Sequence, residues 1–336
     1  MGPRRVAAPG AAVLAVAALA ATLTACSDRA DSSTDGRLRV VTTVAPITSI
    51  VASVGGDRVH VTGLVPEGTN SHTFEPPPSA AEVLSKADLI LVNGLKLEDP
   101  TAELADQNKK KDAKIVALGE RVLSPDQYIY DFSFPKKDGK PNPHLWTDPL
   151  FAIKYAEVVR SELTLLDPAG GATYDANLAA FRTQATALSD AVKKAGATIP
   201  GGRRELLTYH DGYAYFARDY GWRILGAIQP SNFEEPTPRE VAALIDQVKR
   251  TKVPAIFGSE VFPSTVLAQI GRATGARYVD TLRDDDLPGK PGDPAHSWFG
   301  LMRADYVVMV EALGGDASAL KALPPGTATD GAVYPQ

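Results

Sequence analysis

Between positions 172 and 195 apolar residues recur at steps of four and three: Tyr174, Leu178, Phe181, Ala185, Leu188 and Val192. Asn177, Arg182, Gln184, Asp190 and Lys193 lie between them. That period puts the apolar set on one face of a long helix. Asp167-Pro168 offers an N-cap and a helix-start proline, whereas Gly170 and Gly171 cost roughly 1 kcal/mol each inside a helix, so regular structure is expected to begin just after them. Gly196 and Pro200-Gly201-Gly202 end it.

Shorter patterns alternate on both sides. Before the long helix, strand-like runs at 38–44, 59–64, 89–93 and 114–117 are interleaved with helical patterns from Pro46, from Ser79 (with Glu82 as a capping box), over 99–107 and from Asp148-Pro149 to about Leu165. After it, runs at 205–209, 223–227, 255–259 and 277–279 alternate with helical patterns from Tyr213, over 238–251, beyond Ser264 as cap, and over 298–313. Such alternation predicts an α/β fold with two lobes, each a mostly parallel sheet flanked by helices, joined by a single long connecting helix. The expected division is a leader over 1–25, a tether over 26–37, an N-terminal lobe over 38–167, the connecting helix over 168–196, a C-terminal lobe over 197–325 and a tail over 326–336. In parallel sheets, ligands bind beyond the carboxyl ends of the strands.

The 336 residues are 44% hydrophobic and 22% charged, a globular composition. Formal charge is −5, and the first 25 residues carry Arg4 and Arg5 and no acid, so their loss takes it to −7. Apart from Lys109-Lys110-Lys111 no basic run stands out, so nucleic acid is not an expected partner. Arg4 and Arg5 precede an apolar run from Ala11 to Leu23 that is too short for a comfortable membrane span, and Leu23-Thr24-Ala25-Cys26 follows. This tetrapeptide resembles a bacterial lipobox, which makes Cys26 the expected lipidation site and 1–25 a lipoprotein signal peptide. Cys26 is the sole cysteine, which leaves neither a disulfide framework nor a thiolate metal site. The expected location is the outer face of the bacterial cytoplasmic membrane, held by a lipid anchor.

Five histidines occur, and His72, His144 and His210 fall in loops that each lead into a helical pattern. Imidazole and carboxylate suit zinc or another divalent transition metal, and nearby helix N-termini would keep the imidazoles neutral. The aspartate run Asp284-Asp285-Asp286 supplies carboxylates in a later loop. His60, on a strand, and His296, beside Ser297 and Trp298, are read as surface or packing residues.

The stretches Asn70-Ser71-His72-Thr73-Phe74-Glu75-Pro76, Asn142-Pro143-His144-Leu145-Trp146-Thr147-Asp148-Pro149, His210-Asp211-Gly212-Tyr213-Ala214-Tyr215-Phe216 and Asp285-Asp286-Leu287 occur in that order. Together, over about residues 38–315, they resemble the solute-binding lipoproteins of zinc and manganese ABC importers. The resemblance implies metal held between two lobes by His72, His144, His210 and Asp285, with Asp284 and Asp286 as neighbouring alternatives to Asp285. It also suggests that Glu75 and Asp148 orient ligand histidines from behind, with Asp211 beside His210. Three imidazoles and one carboxylate favour Zn2+, while Asp211 and Gly289-Lys290-Pro291-Gly292-Asp293 look like the manganese branch, so Mn2+ is the alternative cargo. Zinc members of the family often carry a histidine-rich loop, which the stretch 124–141 lacks. The implied partners are an ABC permease and its ATPase, with the chain itself a monomer and not an enzyme. A secreted zinc hydrolase is the alternative of another class, but no His-Glu-x-x-His helix occurs.

Overall fold

The β-branched run at the head of the body forms β1 (Leu38–Thr42), and Pro46 sits in the first turn of α1 (Ala45–Gly55), where its missing N–H breaks no helical bond. Gly56, at φ 57°, stops that helix. The chain continues through β2 (Val59–Gly63), α2 (Ala80–Lys86), β3 (Leu89–Val92), α3 (Asp99–Asn108), β4 (Lys114–Ala117), α4 (Leu118–Val122) and α5 (Pro149–Leu166). A long helix, α6 (Gly171–Gly196), leads to β5 (Glu205–Thr208), α7 (Ala214–Tyr220), β6 (Arg223–Ala227), α8 (Pro238–Thr251), β7 (Ala255–Ser259), α9 (Thr265–Thr274) and β8 (Arg277–Leu282). Then come α10 (Trp298–Ala312), α11 (Ser318–Lys321) and β9 (Ala332–Val333). This computed structural model describes residues 1–2, 35–229, 236–259, 265–326 and 332–335. Cys26 and Ser264 lie outside the described residues.

Two parallel sheets result, with strand orders β4-β3-β1-β2-β9 and β6-β5-β7-β8. Strand β3 is buried along its whole length, as a parallel strand covered on both faces must be. The buried residues of α6 include Tyr174, Phe181, Ala185, Leu188 and Val192, the stripe read from the sequence. Asp167 accepts from Gly170 N at 3.2 Å in the turn before it.

From Arg37 onward the chain is one compact unit, and its largest apolar core runs from Val40 in the first sheet to Leu206 and Phe257 in the second. Trp146 and Trp298 are fully buried within it. Trp298 Nε1 donates to Trp146 O at 2.8 Å, Tyr306 OH to Thr147 O at 2.6 Å, and Thr147 Oγ1 to Gly212 O at 2.8 Å. These bonds tie the loop before α5 to both α10 and the second sheet's β5–α7 turn. A core shared in this way resists hinge opening, because separating the sheets would expose the indole and phenol rings.

Three local expectations are corrected. Ser79 makes no side-chain cap bond, because the turn already starts at Pro77, whose carbonyl accepts from Ala80 N at 2.9 Å. Strand β8 runs three residues beyond the expected 277–279. The region expected to be a tail contributes β9, which pairs with β2 in the first sheet.

Candidate metal centre

Three loops bring their imidazoles to one point. The first leaves β2, with Leu64 N and Val65 N each bonded to Thr43 O at 3.3 Å, and Asn70 Oδ1 accepts from His72 N at 3.0 Å to fix the turn. The second is built the same way, with Asn142 Oδ1 accepting from His144 N at 3.1 Å. His144 does not follow a strand directly: a long loop and short 3-10 turns separate it from β4. The third leaves β5, where Tyr209 N still bonds to Phe257 O at 2.7 Å, so His210 starts from a strand end. His144 and His210 are buried and His72 is half-buried.

The three Nε2 atoms lie 3.2 Å (His72 to His144), 3.2 Å (His72 to His210) and 2.7 Å (His144 to His210) apart. Three nitrogens on a tetrahedral zinc, each at about 2.0–2.1 Å, would stand roughly 3.3 Å from one another. The tautomers follow from the other ring nitrogens. Asn142 Nδ2 is committed to two acceptors, Asp131 Oδ2 at 2.8 Å and Asp211 O at 2.7 Å, so its Oδ1 is the acceptor for His144 Nδ1–H at 2.8 Å. Likewise Gln229 Oε1 accepts from His210 Nδ1 at 3.2 Å. Both Nε2 atoms are then left with lone pairs that face each other at 2.7 Å, an arrangement that repels unless a cation lies between them.

The carboxylates divide three ways. Asp285 Oδ2 accepts from Ser71 Oγ at 2.5 Å, while its Oδ1 is buried without a hydrogen-bond partner. Asp286 accepts from Gly68 N at 3.0 and 3.1 Å. Asp284, at φ 51°, is buried beside Asp305 and Tyr213, and burial followed by the Asp305 charge holds its pKa well above the carboxylate range. Among the described residues, the metal-ligating group with donor atoms within 4.8 Å of one another is His72, His144 and His210, and Asp285 falls outside that limit.

The residues read as supports behind the histidines are not the ones that the structure uses. Glu75 is exposed. Asp148 caps α5, its Oδ1 accepting from Leu150 N at 2.7 Å, and burial lifts its pKa to about 7. Asp211 is buried next to Asp131, and burial and then that second carboxyl push its pKa well up. The supports of His144 and His210 are instead the amides of Asn142 and Gln229. Loop 124–141 has no histidine, but it closes the site with Phe134, whose ring lies 5.4 Å from His72 and 5.7 Å from His144. Ser133 Oγ in that loop donates to Gln229 O at 3.0 Å, which pins it to the second sheet.

His72 and His144 have pKa values well below the ordinary 6.5. Burial is the first cause for both, followed by the neighbouring His210 imidazole, with Lys140 adding to the effect at His72 and His72 at His144. Depressed values keep the two imidazoles neutral, the state expected from the sequence. Replacing Asn142 with Ala should weaken metal binding about ten- to a hundredfold by freeing the His144 ring, which a competition titration measures; unchanged affinity would remove Asn142 from the account.

The family model for ZnuA, described as zinc-uptake complex component A, periplasmic, matches residues 40–312. The manganese-binding lipoprotein MntA of Halalkalibacterium halodurans is 28% identical over 301 residues, covering 90% of this chain and 97% of its own. The iron-binding protein YfeA of Yersinia pestis is 28% identical over 291 residues, covering 86% and 91%. Among solved structures, the periplasmic zinc-binding protein TroA of Treponema pallidum superposes with a TM-score of 0.73 at 26% identity, covering 83% of this chain and 99% of its own. With a family model matched from β1 to the end of α10, this chain belongs to the ZnuA family of metal-binding substrate-binding proteins of ABC importers.

Proposed function

We propose that this protein captures a zinc ion between its two sheets and hands it to an ABC permease driven by a cytosolic ATPase, working as a lipoprotein anchored through Cys26 on the outer face of the cytoplasmic membrane. The observation that carries this reading is the meeting of three imidazole nitrogens, two of them with lone pairs turned inward by Asn142 and Gln229. His72, His144 and His210 are the nitrogen ligands. Asp285 is the fourth: its Oδ1 is buried and unpartnered and its Oδ2 is held by Ser71 of the His72 loop, Asp286 is engaged by Gly68, and Asp284, whose Oδ1 is also unpartnered, is disfavoured as a carboxylate by burial and the Asp305 charge. Four protein ligands close the shell of a tetrahedral ion, which suits capture rather than a hydrolase's open position.

Three nitrogens and one oxygen favour zinc over manganese; affinity alone does not decide, because zinc outcompetes manganese at most nitrogen and oxygen sites. Asp211, the carboxylate that would have favoured manganese, is placed against Asp131 instead. The names of the relatives include manganese, iron and zinc, so the choice rests on this donor set. Because the core is shared between the lobes, release follows from movement of the ligand loops rather than from separation of the sheets. Full chain purified without an affinity tag and titrated separately with zinc and with manganese in metal buffers tests the choice. Stoichiometric zinc, with the site left unfilled when manganese is offered alone, is expected; manganese that fills the site when offered alone would reassign the cargo.

A further inference from the structure

The family match stops at residue 312, but the chain after it returns to the site. Strand β9 adds to the first sheet beside β2, with Val61 opposite Ala332 and Thr62 opposite Val333. The next residue, Tyr334, is buried with its ring edge-on to His296 at 4.7 Å. Pro335 O then accepts from Glu67 N at 3.2 Å. Gly63 permits this approach, since a Cβ there would already lie 2.9 Å from Thr48 Oγ1 and 3.5 Å from Pro335 Cδ.

Glu67 also faces the other sheet. Its Oε1 accepts from Leu287 N at 3.2 Å and stands 3.7 Å from His296 Nε2. Gly68 N, next in sequence, donates to Asp286, and Ser71 Oγ donates to Asp285. The loop that carries His72 is thus bound through the Glu67 N–H to the 332–335 segment, and through the Glu67 and Ser71 side chains and the Gly68 N–H to the loop after β8.

We infer that Ala332–Pro335 and Glu67 form a latch that positions the His72 loop against the Asp285 loop, so that this distal segment governs how long the cargo stays bound. The inference rests on the reading that His72 and Asp285 hold zinc. Glu67 and the segment are positioning elements, since neither supplies a ligand in that reading.

Zinc dissociation into excess chelator, followed by stopped flow, tests it on the full chain, on a chain lacking 332–336, on Glu67→Ala and on the two changes combined, with apo melting temperatures measured alongside. Removing the segment should speed release about three- to tenfold, the worth of one hydrogen bond, and Glu67→Ala should do the same. The combination should be no faster than either alone within about twofold, because both break one latch. Glu67→Gln keeps an oxygen for Leu287 N and should restore slow release. Tyr334→Ala takes the place of the deletion if the shortened chain fails to fold. Rates unchanged on losing the segment, or effects that multiply in the combination, would overturn the latch alone. An unaltered chain that binds no zinc would overturn the metal reading and the latch with it.

Discussion

His210→Ala should weaken zinc binding by more than about a hundredfold. Loss of a residue that merely orients a ligand costs roughly 10–100-fold, and here a ligand itself is removed. His210 Nε2 is within 3.2 Å of both other imidazole nitrogens, so no neighbouring side chain can replace it without moving a loop. The substitution also removes the His210 bond to Gln229 Oε1 together with the inward lone pair that faces His144 Nε2, two opposed effects, so the metal-free protein is expected to melt close to the unaltered one. Competition with a chromophoric chelator measures the first effect and thermal unfolding the second. A His210→Ala protein that keeps wild-type affinity would remove His210 from the ligand set.

Zinc at a thousand times its Kd should stabilise the protein by about 4 kcal/mol and raise the melting temperature by roughly 8 °C. This increment has a defined pH dependence. His72 and His144 have folded values depressed below 6.5, so the unfolded chain takes up protons on these groups before the folded one does. Their contribution to stability is present above 6.5 and is lost as pH falls through the folded values. Bound zinc competes with protons only at the folded values. The zinc increment is therefore expected to persist at about pH 6.5 and to vanish in more acidic buffer. Differential scanning calorimetry with and without zinc reads it, and an increment half lost already at about pH 6.5 would contradict the burial of these two rings.

Much of the fold could be read from spacing. The stripe of α6 and the alternation around it follow from local periodicity, and β4, β6, β7 and α8 begin and end where the pattern does. Strand β9 was not legible, because two residues become a strand only when a distant edge, that of β2, receives them. The histidines were legible because each lies in a distinctive loop motif, but their supports were not. Asp211, next to His210 in sequence, meets Asp131 of another loop rather than the imidazole, a pairing that adjacency in sequence does not reveal. Asn142 sat in a quoted motif without a role. Its part depends on Asp131, in a different loop segment, taking its Nδ2 and so turning the amide oxygen toward His144. Gln229 and Phe134 lie outside the four histidine and aspartate motifs and reach the site only through tertiary packing.

The most direct measurement is the metal content of the full chain, purified without an affinity tag, set against the variant carrying His72→Ala, His144→Ala and His210→Ala. One tightly held zinc per chain, absent from the variant, is the predicted result. No stoichiometric metal in the unaltered chain, or equal metal in both proteins, would contradict the claim that these three imidazoles exist to hold an ion.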